Sequence, residues 1–529
     1  MFISLVGCFL VGFMVIGAVY IWGSSLSFSI SLFPCSFSLG NTYEFVGCFD
    51  YIMALCLLML FICSWLAFVY CFHYYYGSSD AIPLFYLMVW FVCIMLMLMI
   101  TGSVIFTLVL WEYLGFVSFL LILFYSNSSS IRASLMTLFS SRFGDVGLFV
   151  VLVYLMCGGS VLSSSFFFAF FLVVMSKSAG FPFISWLLEA MRAPTPVSSL
   201  VHSSTLVAAG VWFMVRYGFV LSSGCVFYIF VVSLFTIFVT GVCALFFFDL
   251  KKIVALSTCN NVAWCLLYYI CGDLGLVMFQ LLVHGVCKCS LFMLVGDLMS
   301  SSGGSQSSVG VYMSRYGGVY GNVLLVFLVF CLCGVPFLGI YFSKHFFFLL
   351  LVGGSYNVFL VSLVLVGFFI SYVYSFRLSL MVCSGVRGIS LGYLVSFLFV
   401  SFFVLVGTMF GWLVFGQFEE YSCLSFFWSL LFLFIQVCGC VVGYLIYSFS
   451  LVGWFWQTML FGSDSLVGLF YSLYSDLVGF SFLVIYRWEV FFLGQIGRLM
   501  SGFSGSFLIF SLNFVIFGMF CYVFFSFVF

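Results

Sequence analysis

The chain has 529 residues, of which 66% are apolar and only 5% are charged. A soluble protein carries roughly a quarter charged residues, so this composition excludes a water-soluble globular protein, and the high hydrophobicity excludes a disordered chain. Fourteen basic and fourteen acidic residues give a formal net charge of zero, which offers no basic surface for nucleic acid. Because the apolar runs are long and continuous, we predict an all-α polytopic membrane protein.

Apolar runs separated by Gly-, Ser- and Asn-rich connectors predict about 15 transmembrane helices. In chain order the predicted spans are 2–22, 51–72, 84–101, 103–125, 132–156, 165–182, 196–217, 225–248, 252–271, 274–299, 321–341, 357–376, 391–414, 426–449 and 506–528. Charged residues recur between apolar stretches in 452–505. We expect a long amphipathic helix along the membrane surface there, with two further spans as the alternative. The last run is the expected terminal anchor.

Four of the six prolines lie where two apolar runs are interrupted, at 177–196 and at 334–344. A proline inside a span frees a carbonyl that lipid cannot satisfy, so such breaks occur where protein or a cavity surrounds them. Two broken helices, one in each half, predict a transporter built from two inverted repeats. The expected division is 1–101 N-terminal helices, 102–248 first repeat, 249–390 second repeat, 391–451 C-terminal helices, 452–505 lateral helix and 506–529 anchor.

Ionisable residues inside the spans are the candidate site, because a charge at mid-bilayer costs at least about 2.5 kcal/mol. They are Glu112, Asp145, Lys177, His202, His284, Lys288 and Lys344. His284 and Lys288 are four residues apart and therefore share one helix face. Desolvation can hold buried Glu and Lys neutral, and His titrates near neutral pH. This series has the chemistry of a proton relay.

Two of these residues have an alternative structural interpretation. Asp145 lies three residues after Arg142 and could be its ion-pair partner, and a lone His202 could be a satisfied contact between helices. Lys251 and Lys252 stand at the start of a span and are predicted at the membrane interface. Four arginines, Arg132, Arg142, Arg216 and Arg315, are predicted as anchors at span ends that reach toward the headgroups.

Redox and nucleotide motifs are not seen in the sequence. There is no G-x-G-x-x-G within a βαβ unit, no P-loop, and the 22 cysteines are scattered through apolar runs without cluster or zinc spacing. We therefore expect no cofactor and no metal in this chain. Abundant Phe (78) with scarce Pro (6) and His (4) indicates a T- and G-rich coding strand, as in some mitochondrial genomes.

Several short motifs occur in a fixed order between about residues 49 and 377. They are Trp111-Glu112, Arg142-Phe-Gly-Asp145, Lys177-Ser-Ala, Ala193-Pro-Thr-Pro-Val-Ser198 with His202-Ser-Ser-Thr205, Asp249-Leu-Lys-Lys, His284-Gly-Val-Cys-Lys288, and Pro336-Phe-Leu with Ser343-Lys344. This set resembles the antiporter-like membrane-arm subunits of mitochondrial NADH:ubiquinone oxidoreductase, respiratory complex I. The chain length and the segment 452–505 favour the chain 5 family.

The resemblance implies a multi-pass subunit of the inner mitochondrial membrane that translocates protons. It implies these roles: Glu112 and Lys177 as the acid–base pair where protons enter, His202 as a bridge, His284 and Lys288 as the central relay, and Lys344 as the residue facing the exit. It also implies that NAD, FMN, iron–sulfur clusters and ubiquinone are bound by other subunits. The implied partners are the adjacent chain 4, chains 2 and 6 along the lateral helix, and lipids such as cardiolipin, but no nucleic acid.

The sequence departs from the family pattern at two site positions. Gln280 stands where the family has His, and His345 stands where it has Asp. About 48 residues precede the matching region, so we expect one N-terminal span fewer than usual. Two alternatives stay open: a sodium/proton antiporter subunit, and a mainly structural subunit that has lost proton transfer.

Overall fold

The structure is a computed structural model. It describes residues 26–31, 44–156, 164–221, 223–301, 318–336, 338–353, 358–383 and 426–448, together with single positions at 472, 473, 475, 476 and 498. The predicted spans 2–22, 391–414 and 506–528 lie outside these residues. Nearly all of the predicted lateral helix, 452–505, lies outside them too.

The described elements follow one another in chain order. They are β1 (Leu26–Ser31), β2 (Glu44–Phe49), α1 (Tyr51–Tyr74), α2 (Ala81–Ile100), α3 (Val104–Leu123), α4 (Ser128–Met156), α5 (Ser164–Lys177), α6 (Ser185–Ala190), α7 (Thr195–Val220), α8 (Ser223–Phe246), α9 (Leu250–Ile270), α10 (Leu274–Ser301), α11 (Gly318–Cys333), α12 (Tyr341–Gly353), α13 (Val358–Cys383) and α14 (Phe426–Ser448). Within α7, residues Ser198–Thr205 are π-helical.

Ten helices in the described part of the chain are long and apolar enough to cross a membrane. They are α1 to α4, α7 to α10, α13 and α14. Two predicted spans, 165–182 and 321–341, are shorter than expected, because their helices end at Lys177 and Cys333, just before each break. The chain after the second break forms a separate helix, α12. It lies almost entirely between the predicted spans 321–341 and 357–376 and was not predicted.

A two-stranded hairpin is a departure from the all-α expectation. β1 and β2 pair antiparallel, with Leu26 opposite Phe49 and Ser31 opposite Glu44. The sequence of β1 alternates apolar and polar residues, which is the period of a strand. The prediction was wrong here because it followed only long apolar runs, and a six-residue alternating strand leaves no such run.

The centre of the helical bundle is formed by α7, α9 and α10. Their apolar segments are almost wholly buried, whereas only 28% of the apolar segment of α4 and 22% of that of α14 are buried. The central helices are also the ones that carry His202, His284 and Lys288. The fold therefore places these ionisable side chains inside the protein and away from lipid, as polar groups in a membrane require.

Candidate functional site

The first helix break leaves Lys177 at the end of a half-helix inside the protein. The indole Nε1 of Trp186 donates a hydrogen bond to the carbonyl of Ser176 at 3.0 Å. The backbone N–H of Gly180 donates to the carbonyl of Met175 at 3.0 Å. Carbonyls at the end of α5 thus find protein donors, which is what allows a break at membrane depth. The negative end of the α5 dipole also favours a cation at this position.

Lys177 is a fully buried cation between α3 and α5, with 1% of its surface exposed. Its Nζ lies 5.4 Å from the ring centroid of Trp111, and it has no hydrogen-bond partner among the described residues. The carboxylates that interact with it electrostatically are those of Asp145 and Glu112. A Cβ at Gly115 would lie 3.7 Å from Nζ, so the ammonium approaches the α3 backbone closely.

The two carboxylates near Lys177 are joined by Arg142. The Arg142 guanidinium donates a hydrogen bond to Glu112, and its Nη1 lies 3.3 Å from Oδ2 of Asp145. Arg142 stands in the middle of α4, so the prediction of a span-end anchor was wrong for this residue. The direct partner of Glu112 is Arg142 and not Lys177. Asp145 fits both of its interpretations, because it pairs with Arg142 and also interacts with Lys177.

A small cavity, lined by hydroxyl groups as well as apolar side chains, connects Lys177 with His202. Its volume is about 10 Å³, room for roughly one water molecule. Trp186 and two aliphatic side chains complete a lining that is otherwise rich in hydroxyl groups. Those hydroxyl groups belong to Ser118, Thr137, Ser140, Ser141 and Ser176. The cavity gives the two ionisable side chains, which belong to different elements, a shared polar surrounding.

His202 lies in the π-helical segment of α7. Such segments are rare and occur often at functional sites. Here the hydroxyls of Ser204 and Thr205 donate to the carbonyl of Leu200 at 3.0 and 2.9 Å, so side chains satisfy the widened turn. The His202 ring is completely buried, and neither ring nitrogen has a hydrogen-bond partner within the described residues. Within the described residues, no hydrogen bond therefore supports the interpretation of His202 as a satisfied contact between helices.

The central helix α10 carries His284 and Lys288, both buried. The Lys288 ammonium donates to the carbonyl of Val254 at 3.1 Å and to the hydroxyl of Ser257, both on α9. A Cβ at Gly285 would lie 3.4 Å from the Cβ of Ser204. The π-helical segment therefore contacts α10 directly beside His284 and stands between that helix and the cavity.

At the second break, the Lys344 side chain binds the carbonyl at the end of α11. Its Nζ donates to the carbonyl of Cys333 at 2.7 Å and to the Ser371 hydroxyl at 2.7 Å, and it lies 4.9 Å from the ring centroid of Tyr372. Cys333 is the last residue of α11, so its carbonyl has no helical partner. The neighbouring Ser343 hydroxyl donates to the side-chain oxygen of Gln280 at 2.5 Å, which connects α12 with α10.

One basic residue near the site was misplaced by the sequence analysis. Lys251 is 5% exposed, and its Nζ donates to the carbonyl of Ala193 at 3.3 Å, whereas the prediction placed it at the membrane interface. Lys252 is partly exposed and pairs with Asp249 at 3.0 Å. Both lysines stand in the first turn of α9, where a cation opposes the helix dipole, so this position did not distinguish the buried lysine from the exposed one.

The chemistry of the site is acid–base chemistry. Lysines, histidines, carboxylates and hydroxyls can all hold or pass a proton. In the part of the chain that the structure describes, no group of three or more His, Cys, Asp or Glu side chains is placed to hold a metal ion.

Comparisons with known proteins identify the family. The family described as NADH:quinone oxidoreductase/Mrp antiporter, TM, matches residues 101–371. The NADH-ubiquinone oxidoreductase chain 5 of Aedes aegypti is 32% identical over 441 residues, which are 78% of this chain and 73% of the relative. The chain belongs to the NADH-ubiquinone oxidoreductase chain 5 family. Chain 5 of Caenorhabditis elegans is 34% identical over 334 residues, 60% of this chain and 62% of that relative. All seven candidate site residues lie within the matched region.

Two solved structures share the fold. The Mrp complex from Dietzia sp. DQ12-45-1b contains a chain with a TM-score of 0.72 and 18% identity, covering 94% of this chain and 59% of that one. The archaeal membrane-bound sulfane sulfur reductase contains another, with a TM-score of 0.65 and 17% identity, covering 84% and 93%. At 17% to 18% identity, the likeness to these two structures shows a shared fold and nothing about function.

Proposed function

We propose that this chain is a core membrane subunit of respiratory complex I. It moves protons across the inner mitochondrial membrane while other subunits pass electrons from NADH to ubiquinone. The observation that carries the proposal is the position of Lys177. This buried ammonium shares a small cavity with His202 and interacts electrostatically with Asp145 and Glu112. A buried charge of this kind is costly and has few structural uses in a membrane protein.

The proton route follows the ionisable residues across the bundle. Glu112 and Asp145 place negative charge near Lys177. Arg142 pairs with both carboxylates and so reduces the negative potential at Lys177. A proton passes from Lys177 to His202 through the cavity that both line. From the π-helical segment the route continues to His284 and Lys288 on α10, and then to Lys344 at the second break. A shift of Glu112 between Arg142 and Lys177 would change the proton affinity of Lys177, which offers a two-state element for coupling.

We also propose an arrangement within the complex, on the basis of the resemblance to the family. We place NAD, FMN, iron–sulfur clusters and ubiquinone in other subunits, and chains 4, 2 and 6 together with cardiolipin as the partners of this one. Residues 102–248 and 249–390 form the two inverted repeats of a fold of about 15 spans. Residues 452–505 form the lateral helix and 506–529 its anchor. Support comes from the order of the motifs and from the two breaks, each of which has a lysine at the end of a half-helix.

The alternative function is a sodium/proton antiporter subunit. Its support is the fold shared with the Mrp complex at 18% identity. The chain 5 relatives, at 32% to 34% identity over 60% to 78% of the chain, favour complex I. A third candidate, a structural subunit without proton transfer, is suggested by Gln280 and His345.

Lys177→Met in the assembled complex tests the proposal. Replacement removes the buried ammonium and keeps a side chain of similar length, so NADH-driven proton pumping in vesicles should fall about tenfold or more. Lys252→Met, which changes a partly exposed lysine paired with Asp249, is the matched control and should pump normally. If Lys177→Met pumped at the control rate, the relay would be wrong and the structural subunit would be favoured.

A further inference from the structure

Two lysines in this protein are held in the same way. The Lys288 ammonium contacts one backbone carbonyl, that of Val254, and one hydroxyl, that of Ser257. The Lys344 ammonium likewise contacts the carbonyl of Cys333 and the hydroxyl of Ser371. Both lysines are buried, and neither forms an ion pair with a carboxylate in the part of the chain that the structure describes.

Each serine hydroxyl has a second partner on its own helix. Ser257 donates to the carbonyl of Val254 at 2.8 Å, and Ser371 donates to the carbonyl of Phe368 at 2.6 Å. Each hydroxyl therefore accepts a hydrogen bond from the lysine while its own proton points one turn back along the helix. This is the arrangement that a charged lysine requires, because an ammonium can only donate.

A neutral lysine requires something different from the same partners. Its amine has a lone pair, which needs a donor, and a carbonyl oxygen cannot donate. A serine hydroxyl can donate after rotation about its Cβ–Oγ bond. The carbonyl it leaves behind is in a helix and keeps a backbone partner. Of the two partners of each lysine, only the hydroxyl can therefore form a hydrogen bond with both the ammonium and the neutral amine.

We propose that Ser257 and Ser371 are positioning residues that stabilise Lys288 and Lys344 in both protonation states. The inference rests on the proposed function and deepens it, since it names groups that let these lysines release and regain a proton inside the protein. No proton leaves the serine. When Lys288 gives its proton to the next group of the relay, the Ser257 proton turns from the Val254 carbonyl to the amine nitrogen, and it turns back when Lys288 is protonated again.

Ser257→Ala and Ser371→Ala test the inference in the assembled complex. Each variant removes the hydroxyl and keeps both the lysine and its carbonyl partner. The rate of NADH-driven proton pumping should fall about tenfold, which corresponds to the loss of one hydrogen bond to a charged group. The ratio of rates in H₂O and D₂O should rise, because proton transfer becomes slower than the other steps. Ser257→Thr and Ser371→Thr keep the hydroxyl and should retain most of the pumping rate.

Two matched controls come from neighbouring serines. Ser290 lies two residues after Lys288 on α10, and its hydroxyl donates to the carbonyl of Val286 at 2.9 Å. Ser379 lies about two turns after Ser371 on α13, and its hydroxyl donates to the carbonyl of Phe376 at 2.7 Å. Both are buried. Ser290→Ala and Ser379→Ala should pump at the unmodified rate.

The outcomes separate this inference from the proposed function. If the alanine variants at 257 and 371 pumped like the controls while Lys288→Met and Lys344→Met did not pump, the inference would be overturned and the function would stand. If the Lys→Met variants also pumped normally, the proposed function itself would fail. If an alanine variant did not assemble on a native gel, Ser→Cys at that site would replace it, because a thiol is a weaker donor of similar size. Normal pumping by that variant would contradict the inference.

Discussion

Arg142 sets the electrostatic balance around Lys177. Two acidic side chains, Glu112 and Asp145, face two basic ones, so the four charges sum to zero when all are ionised. The guanidinium takes the direct contact with Glu112 and leaves Lys177 with interactions through space. At the residue scale, the proton affinity of Lys177 therefore depends on where Arg142 stands.

Arg142→Gln should raise the proton affinity of Lys177. Without the guanidinium, the two carboxylates have Lys177 as their nearest cation, which holds its proton more tightly, so proton pumping should slow several-fold. Glu112→Gln in the same chain should partly restore the rate. The double-mutant cycle should show a coupling energy of roughly 0.5–3 kcal/mol.

The control for that cycle is Arg192→Gln, which breaks the similarly exposed ion pair between Arg192 and Glu189. Its effect should combine additively with Glu112→Gln. Additive effects of Arg142→Gln and Glu112→Gln in pumping assays would show that the contact between them does not matter for function.

At the scale of elements, buried helix ends are satisfied by side chains from distant helices. Arg377 on α13 donates to the carbonyls of Ala244 and Phe247 at 3.0 Å each, and so caps the end of α8. Trp186 does the same at the end of α5, and Lys344 at the end of α11. These contacts, more than helix propensity, hold the half-helices in place.

Arg377→Met should weaken the end of α8. Two charge-assisted hydrogen bonds are lost and two carbonyls are left unpaired, so the stability of the assembled complex should fall by roughly 2–4 kcal/mol. The measurement is the half-life of activity during heating. Arg192→Met removes a guanidinium that is much more exposed than that of Arg377, and should cost less than about 1 kcal/mol. Equal half-lives for the two variants would argue against the cap.

Gly210→Ala tests the contact between α7 and the first break. An added Cβ would lie 2.8 Å from the backbone nitrogen of Ser178 and 3.0 Å from the carbonyl oxygen of Val174, and backbone cannot move aside as a flexible side chain can. We expect a loss of about 1–3 kcal/mol in heat-inactivation experiments. Gly353→Ala, whose added carbon meets nothing within 4 Å, is the control. Unchanged stability of Gly210→Ala would mean that the two elements lie further apart.

At the scale of the whole molecule, the buried and exposed helices have different tasks. The central helices α7, α9 and α10 bury His202, His284 and Lys288, while α4 and α14 present large apolar side chains outward. Such side chains suit lipid or the apolar surface of a neighbouring subunit. The chain is therefore expected to work within a larger membrane complex.

That expectation can be measured directly. After gentle solubilisation of the source membranes, this chain should migrate on a native gel with a large complex that stains for NADH oxidation, and mass spectrometry should identify it there. Migration in a smaller particle without NADH oxidation would contradict the complex I proposal. The next experiment would then be a sodium-driven pH change in vesicles that contain this chain.

The sequence by itself determined the class of protein, the position of most spans and the candidate site. Long apolar runs and isolated charges are local features, and each has a direct energetic meaning in lipid. Prolines near Lys177 and Lys344 likewise predicted both breaks, because proline removes a backbone donor wherever it stands. The short hairpin was missed, since a six-residue alternating strand is a weak pattern beside runs of twenty apolar residues.

The tertiary structure decided which groups meet. Glu112 and Arg142 are 30 residues apart, and Lys288 and Ser257 are 31 apart, so no periodicity along the chain predicts either pair. The same holds for the burial of Lys251 and for the cavity between Lys177 and His202. A side chain's partner is set by how whole helices pack, and that packing depends on contacts summed over the entire bundle. The sequence therefore determined which residues are candidates for the chemistry, and the fold determined their partners.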